Sequence, residues 1–214
     1  MKHRKPLSLY AALAALLSFA VWTLLVCTVD VRPIGPMDST VGLATLNNWI
    51  HQATGVNWTL YSLTDYLGLV PFAVAFGFAC LGLYQWIRRK RLCLVDRSLF
   101  VLGGFYLTVI ALYVLFEVLV INRRPVLIDG ILEASYPSST TLLVACVIPT
   151  ALMQLRARIK QKALLRVALA VGYAFTVFMV VGRILSGVHW ISDIIGGALL
   201  CVGLLLLYRY FDAA

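Results

Sequence analysis

Three short polar runs interrupt an otherwise apolar sequence. They are Asn122-Arg123-Arg124-Pro125, Tyr136-Pro137-Ser138-Ser139-Thr140-Thr141, and Gly182-Arg183 followed by His189-Trp190-Ile191-Ser192-Asp193. Their residue types suit phosphoryl transfer. Arg124 and Arg183 are permanently charged, planar forks that match phosphate oxygens. Pro137-Ser138-Ser139 opens a helix, whose first amides lack intrahelical partners and form an anion site. His189 and Asp193 stand four residues apart, on one face of any helix that begins near Trp190. An aspartate bonded to one ring nitrogen sets the tautomer and leaves the other nitrogen to attack. Singly, each feature is ordinary: Ser-Ser before a helix is usually an N-cap, and a His and an Asp four apart are usually a helix-face pair. Convergence on one side of one bundle gives them weight.

The elements that must hold these residues are membrane spans. Of 214 residues, 62% are hydrophobic and only 13% charged, where a soluble domain carries roughly a quarter charged residues. That balance excludes a soluble domain. Six apolar stretches, at about 7–29, 61–87, 98–122, 140–155, 164–182 and 190–208, approach the roughly 20 residues of a crossing. The fourth is the shortest and contains Pro149, which suggests a kink or tilt. The expected fold is all-α: one integral membrane domain, 1–214, of about six helices plus a short amphipathic surface helix.

Lys and Arg set the orientation. Lys2, Arg4, Lys5, Arg88, Arg89, Lys90, Arg91, Arg97, Arg156, Arg158, Lys160, Lys162, Arg166 and Arg209 fall on one side; Arg32, Arg123, Arg124 and Arg183 fall on the other. The positive-inside rule then puts both termini in the cytoplasm and the three polar runs outside. The net charge of +9 and pI near 9.6 do not point to nucleic acid, because the basic residues form short clusters between apolar runs. Arg123, Arg124 and Arg183 lie at outer ends of spans, against this bias. Such charges either serve a function or snorkel to lipid head groups.

The remaining features are weaker. The first apolar run exceeds a signal peptide's roughly 7–15 residues and no small-residue cleavage site follows it, so it reads as an uncleaved span. In the first outer loop, Leu43, Leu46, Trp49 and Ile50 give Val41–Thr54 a helical spacing, read as a helix on the membrane surface with His51 solvated and without a role. Asn57-Trp58-Thr59 matches a glycosylation sequon but abuts a span. Four of the five cysteines lie inside apolar runs and read as small hydrophobes. Gly182, Gly187, Gly196 and Gly197 flank the third polar run and suit either close helix approach or turns.

Arg183, five residues, His189, three residues, Asp193 resembles the third signature motif of the type 2 phosphatidic acid phosphatase superfamily. Arg124-Pro125 resembles the end of the first motif and Pro137-Ser138-Ser139 the start of the second. The motif resemblance spans 117–193, and the six-span architecture extends it over most of the chain. It implies His189 as the nucleophile and Asp193 as its orienting partner. It further implies that Arg124, Arg183 and the Ser138–Ser139 amides hold the phosphate, and that water releases it from a phosphohistidine. No metal or organic cofactor is implied.

Two positions depart from the family pattern. The first-motif lysine is replaced by Glu117, and the second-motif histidine, the general acid, by Thr140. A threonine hydroxyl is too weak an acid for that task, and losing an acid catalyst costs roughly 10²–10⁴ in rate. Glu117 either substitutes in part, kept protonated by burial, or pairs with Arg124 or Arg183. The resemblance thus implies a phosphatase for membrane lipid phosphates or diphosphates, of the phosphatidate or polyprenyl (undecaprenyl) diphosphate type, in a bacterial cell membrane. Its alternatives are a catalytically impaired lipid-phosphate binder and a lipid phosphotransferase. Oligomeric state is left open.

Overall fold

Apolar runs of span length become helices because a bilayer leaves backbone polar groups no partner but the chain itself. The computed structural model describes residues 4–212; Lys2 lies outside the described residues. The helices are α1 (Arg4–Thr28), α2 (Ala44–Thr54), α3 (Trp58–Leu67), α4 (Val70–Arg89), α5 (Arg97–Leu119), α6 (Ser139–Arg158), α7 (Lys162–Leu185) and α8 (Ile191–Asp212). Among the described residues, six segments are long and apolar enough to cross a membrane, with α3 and α4 together forming the second.

That second span is broken, where the sequence suggested one helix over 61–87. Pro71 lies in the first turn of α4. It has no N–H to continue the ladder from α3 and its ring crowds the preceding turn, so one helix ends and another begins. Asn57, the sequon residue, caps α3 by accepting a hydrogen bond from the Leu60 amide at 2.9 Å. The fourth span is longer than expected and continues through Pro149 as a single helix.

α6 is the central helix, buried over much of its length and packed against α4, α5, α7 and α8; α1 lies along α8. The core joins Leu102, Phe105 and Val109 of α5 to Leu142 and Val147 of α6 and to Leu200 and Leu204 of α8. Cys146 and Cys201 touch in this core, with Sγ atoms 3.3 Å apart. The outer helix faces are apolar and exposed, as lipid-facing surfaces must be.

The surface helix is fastened to the bundle rather than merely resting on a membrane surface. Asn47 of α2 is fully buried and donates to the Gly42 carbonyl at 2.7 Å and to Ser192 Oγ at 2.9 Å, while its Oδ1 accepts from the Ser192 amide at 3.1 Å. His51 is partly buried, its ring 5.4 Å from the Trp190 ring, which corrects the reading of a solvated side chain.

Candidate active site

The segment between α5 and α6 folds back on itself. Asp129 and Gly130 both take positive φ (48° and 79°), and Ile128 and Ile131 exchange both backbone hydrogen bonds across them. This is the Asp-Gly form of the two-residue hairpin turn. Beyond the turn, residues 125–127 stand opposite residue 132 alone, and the arms pair again two positions out of register: Arg124 donates its amide to Glu133, Ser135 donates its amide to Asn122, and Arg123 bridges Ala134. The turn thereby brings Arg124 and Ser135, eleven positions apart in number, to the same end of the bundle.

The start of α8 is pinned from several sides. Trp190 Nε1 donates to the Arg123 carbonyl at 2.7 Å and Trp22 Nε1 to the Ser192 carbonyl at 3.0 Å. Gly187 precedes it at φ +67°, and a Cβ there would lie 1.8 Å from the Gly55 carbonyl oxygen. Only glycine meets both demands. Gly196 lies under the Tyr136 ring, where a Cβ would approach it to 2.6 Å. The glycines beside the third polar run therefore serve a turn at one position and close packing at another.

His189 and Asp193 meet through an intermediary. Nδ1 of His189 is 3.9 Å from Asp193 Oδ2, too far for a hydrogen bond. The Ser135 hydroxyl stands between them, 3.2 Å from Nδ1 and hydrogen-bonded to Oδ2. Asp193 accepts three further bonds: at Oδ2 from the Trp190 amide (3.0 Å), and at Oδ1 from Asn122 Nδ2 (3.2 Å) and Ser192 Oγ (3.4 Å). All these groups are buried.

The other ring nitrogen, Nε2, faces Arg124 Nη1 at 3.3 Å. Burial foremost, then the charges of Arg124 and Arg183, push the His189 imidazole well below the ordinary histidine range. The ring is therefore neutral near pH 7, with a lone pair directed toward Arg124.

Arg124 and Arg183 line one cavity of about 440 Å³, together with Tyr61, Asp65, Glu117, Glu133, Ser139 and Thr140. Arg183 is 1% exposed and reaches Thr140 Oγ1 (2.7 Å), Asp65 Oδ1 (3.2 Å) and Thr64 Oγ1 (3.4 Å), with its guanidinium 5.2 Å from the Tyr61 ring centre. Its buried Nε has no hydrogen-bond partner among the described residues. Arg124 Nε lies 3.0 Å from Glu133 Oε2. Glu117 opens on the same cavity and pairs with neither arginine: Glu133 and Asp65 take those places.

At the start of α6, the Ser138 hydroxyl caps the Thr141 amide, while the Ser138 amide donates to the Asp193 carbonyl at 3.1 Å. The amide of Ser138 is thus engaged, and the orphan donors of this helix end are those of Ser139 and Thr140. Of the four arginines noted against the charge bias, Arg32 pairs with Asp30 and Arg123 reaches the Leu132 carbonyl, both on the surface.

Sequence reasoning missed Ser135, Asn47, Asp65 and Glu133. Asp129-Gly130 was a usable signal for the hairpin that carries two of them. Asn47 shares its helix face with the polar His51 and Thr54 and does not stand out there. Nothing local marks Asp65 or Glu133.

Residues 122–214 match the model of the PAP2 superfamily. The fold is similar to the crystal structure of a transmembrane PAP2 type phosphatidylglycerolphosphate phosphatase from Bacillus subtilis, with a TM-score of 0.63 and 20% sequence identity, covering 95% of this chain and 96% of that one. A comparison with curated proteins gave no match.

Proposed function

We propose that this PAP2-superfamily membrane protein is a lipid phosphatase that cleaves phosphate from a lipid phosphate or diphosphate through a phosphohistidine at His189. One observation carries this reading: Nε2 of a neutral, buried His189 lies 3.3 Å from Arg124, whose guanidinium shares a cavity with Arg183 and the start of α6. A phosphoryl group in that cavity would meet two arginine forks and the Ser139 and Thr140 amides. Nε2 attacks phosphorus, the bond to the leaving oxygen breaks, and its electron pair departs with that oxygen. Water then attacks the phosphohistidine, and the nitrogen recovers its pair. With the Lys- and Arg-rich helix ends in the cytoplasm, the cavity opens on the extracytoplasmic side.

Thr140 decides the substrate preference. Its hydroxyl accepts a hydrogen bond from Arg183 and is no acid near neutral pH. An alkoxide leaving from a monoester needs a proton badly, whereas a phosphate leaving from a polyprenyl diphosphate needs little help. Purified protein in detergent is therefore expected to turn over a polyprenyl diphosphate faster than phosphatidate or phosphatidylglycerolphosphate, by about 10²-fold or more in kcat. Equal or reversed preference would remove the argument. Phosphate binding without release would make the protein a binder, and transfer to a second lipid a transferase.

The pH profile supplies an independent check. Protonation of Nε2 blocks attack, and the His189 pKa is lowered, so activity is retained as pH falls and lost only below the usual histidine range, about 6.5. An acid limb of kcat/KM with its midpoint at or above that value would contradict a neutral nucleophile held between arginines.

A further inference from the structure

The contact with Arg124 fixes the tautomer of His189. Arginine only donates, so at the Arg124 contact the ring Nε2 must accept. The ring proton therefore sits on Nδ1, which lies 3.2 Å from Ser135 Oγ. An ionised Asp193 carboxylate only accepts, so the Ser135 hydroxyl must donate to it. The Nδ1 proton then falls to Ser135, whose hydroxyl oxygen has lone pairs free at 3.2 Å and whose backbone carbonyl also faces the ring. The chain reads Asp193, Ser135, His189, Arg124, each link fixing the next.

We propose that Ser135 is the positioning residue that transmits the orienting charge of Asp193 to the ring of His189, holding the Nδ1–H tautomer and aiming Nε2 at Arg124, which lines the cavity where His189 itself does not. A direct hydrogen bond from His189 to Asp193 is precluded by the 3.9 Å separation. The serine is itself fixed: its amide donates to the Asn122 carbonyl at 2.9 Å, and Asn122 in turn donates to Asp193 at 3.2 Å. One hairpin thus supplies both ends of the contact set on His189, Arg124 to Nε2 and Ser135 to Nδ1. When Nε2 takes a phosphoryl group the ring becomes cationic and keeps its Nδ1 proton. The hydroxyl and the carboxylate behind it then stabilise that charge.

This inference rests on the reading of His189 as nucleophile, but its primary test does not need turnover. Nitrogen-15 NMR of histidine-labelled protein, with the His189 signals assigned by their absence in His189→Ala, should show Nδ1 protonated and Nε2 bare. In Ser135→Ala the single tautomer should give way to a mixture or to Nε2–H. Alongside, Ser135→Ala is expected to lower kcat by about 10²-fold with KM within about threefold, and Ser135→Thr, which keeps a hydroxyl, to recover most of the loss. An unchanged tautomer in Ser135→Ala overturns the proposal. Equal loss in the alanine and threonine variants, accompanied by a lowered unfolding temperature, also overturns it by showing a structural role. Retained turnover in His189→Ala would instead sink the functional reading while leaving the tautomer result to stand on its own.

Discussion

Replacing His189 with alanine is expected to reduce phosphate release by on the order of 10⁴-fold or more, leaving only what binding and electrostatics supply. The cavity holds tyrosines, carboxylates and hydroxyls besides the arginines, and none of these is an activated nucleophile at neutral pH. The imidazole is uncharged through burial and the neighbouring arginines, and its Nε2 lies against the group that would hold the phosphate. Loss of the ring removes the bond-forming atom but leaves both guanidinium groups, so phosphate affinity should persist. The measurement is release of inorganic phosphate by purified protein, paired with trapping of an acid-labile phosphoenzyme in the parent protein only. A variant keeping more than about 1% of the rate would mean that phosphorus is attacked by water directly.

The second large effect is expected at Arg183. Its alanine variant should lose about 10²–10³ in kcat/KM, the usual consequence of deleting one preorganised donor to developing negative charge. Lysine should restore little, because one point charge cannot reach Thr140, Asp65 and Thr64 as the planar fork does. Stability should fall too, since this side chain ties α7 to α3 and α6 from a fully buried position. Arg123→Ala provides the contrast. That side chain is exposed and reaches only the Leu132 carbonyl, so its loss should change stability by no more than about 0.5 kcal/mol. Kinetics of the three variants, with unfolding temperatures in detergent, would separate them. Similar activity for Arg123→Ala and Arg183→Ala would refute the assignment of Arg183 to the phosphate.

The helical class and the number of spans could be read directly, because each apolar run satisfies its own backbone and needs no distant partner. The break at Pro71 was written in the sequence as well, but apolarity alone ran the two helices together. Arg124 and His189 were singled out for chemistry by type and spacing, and the structure brings them into contact. The partner of the imidazole was not readable. Four-residue spacing puts Asp193 near His189, yet a distance of 3.9 Å against hydrogen-bonding reach turns on where a hairpin from another part of the chain inserts a serine.

The same holds for the carboxylates. Glu117, one turn and a half before the end of its span, was the natural partner for either arginine by sequence position. Glu133 and Asp65 occupy those places, because the hairpin returns one to Arg124 and the broken second span carries the other to Arg183.

From sequence alone came what depends on runs and periods: a helical membrane protein of six crossings, its polar runs, and their likeness to a family pattern. Tertiary structure alone decided which polar group touches which, and that the surface helix clamps α8 through Asn47. The reason is range. Burying apolar length is a local property summed along the chain, whereas a hydrogen bond is made or missed within about an ångström, a difference set by the packing of segments far apart in sequence.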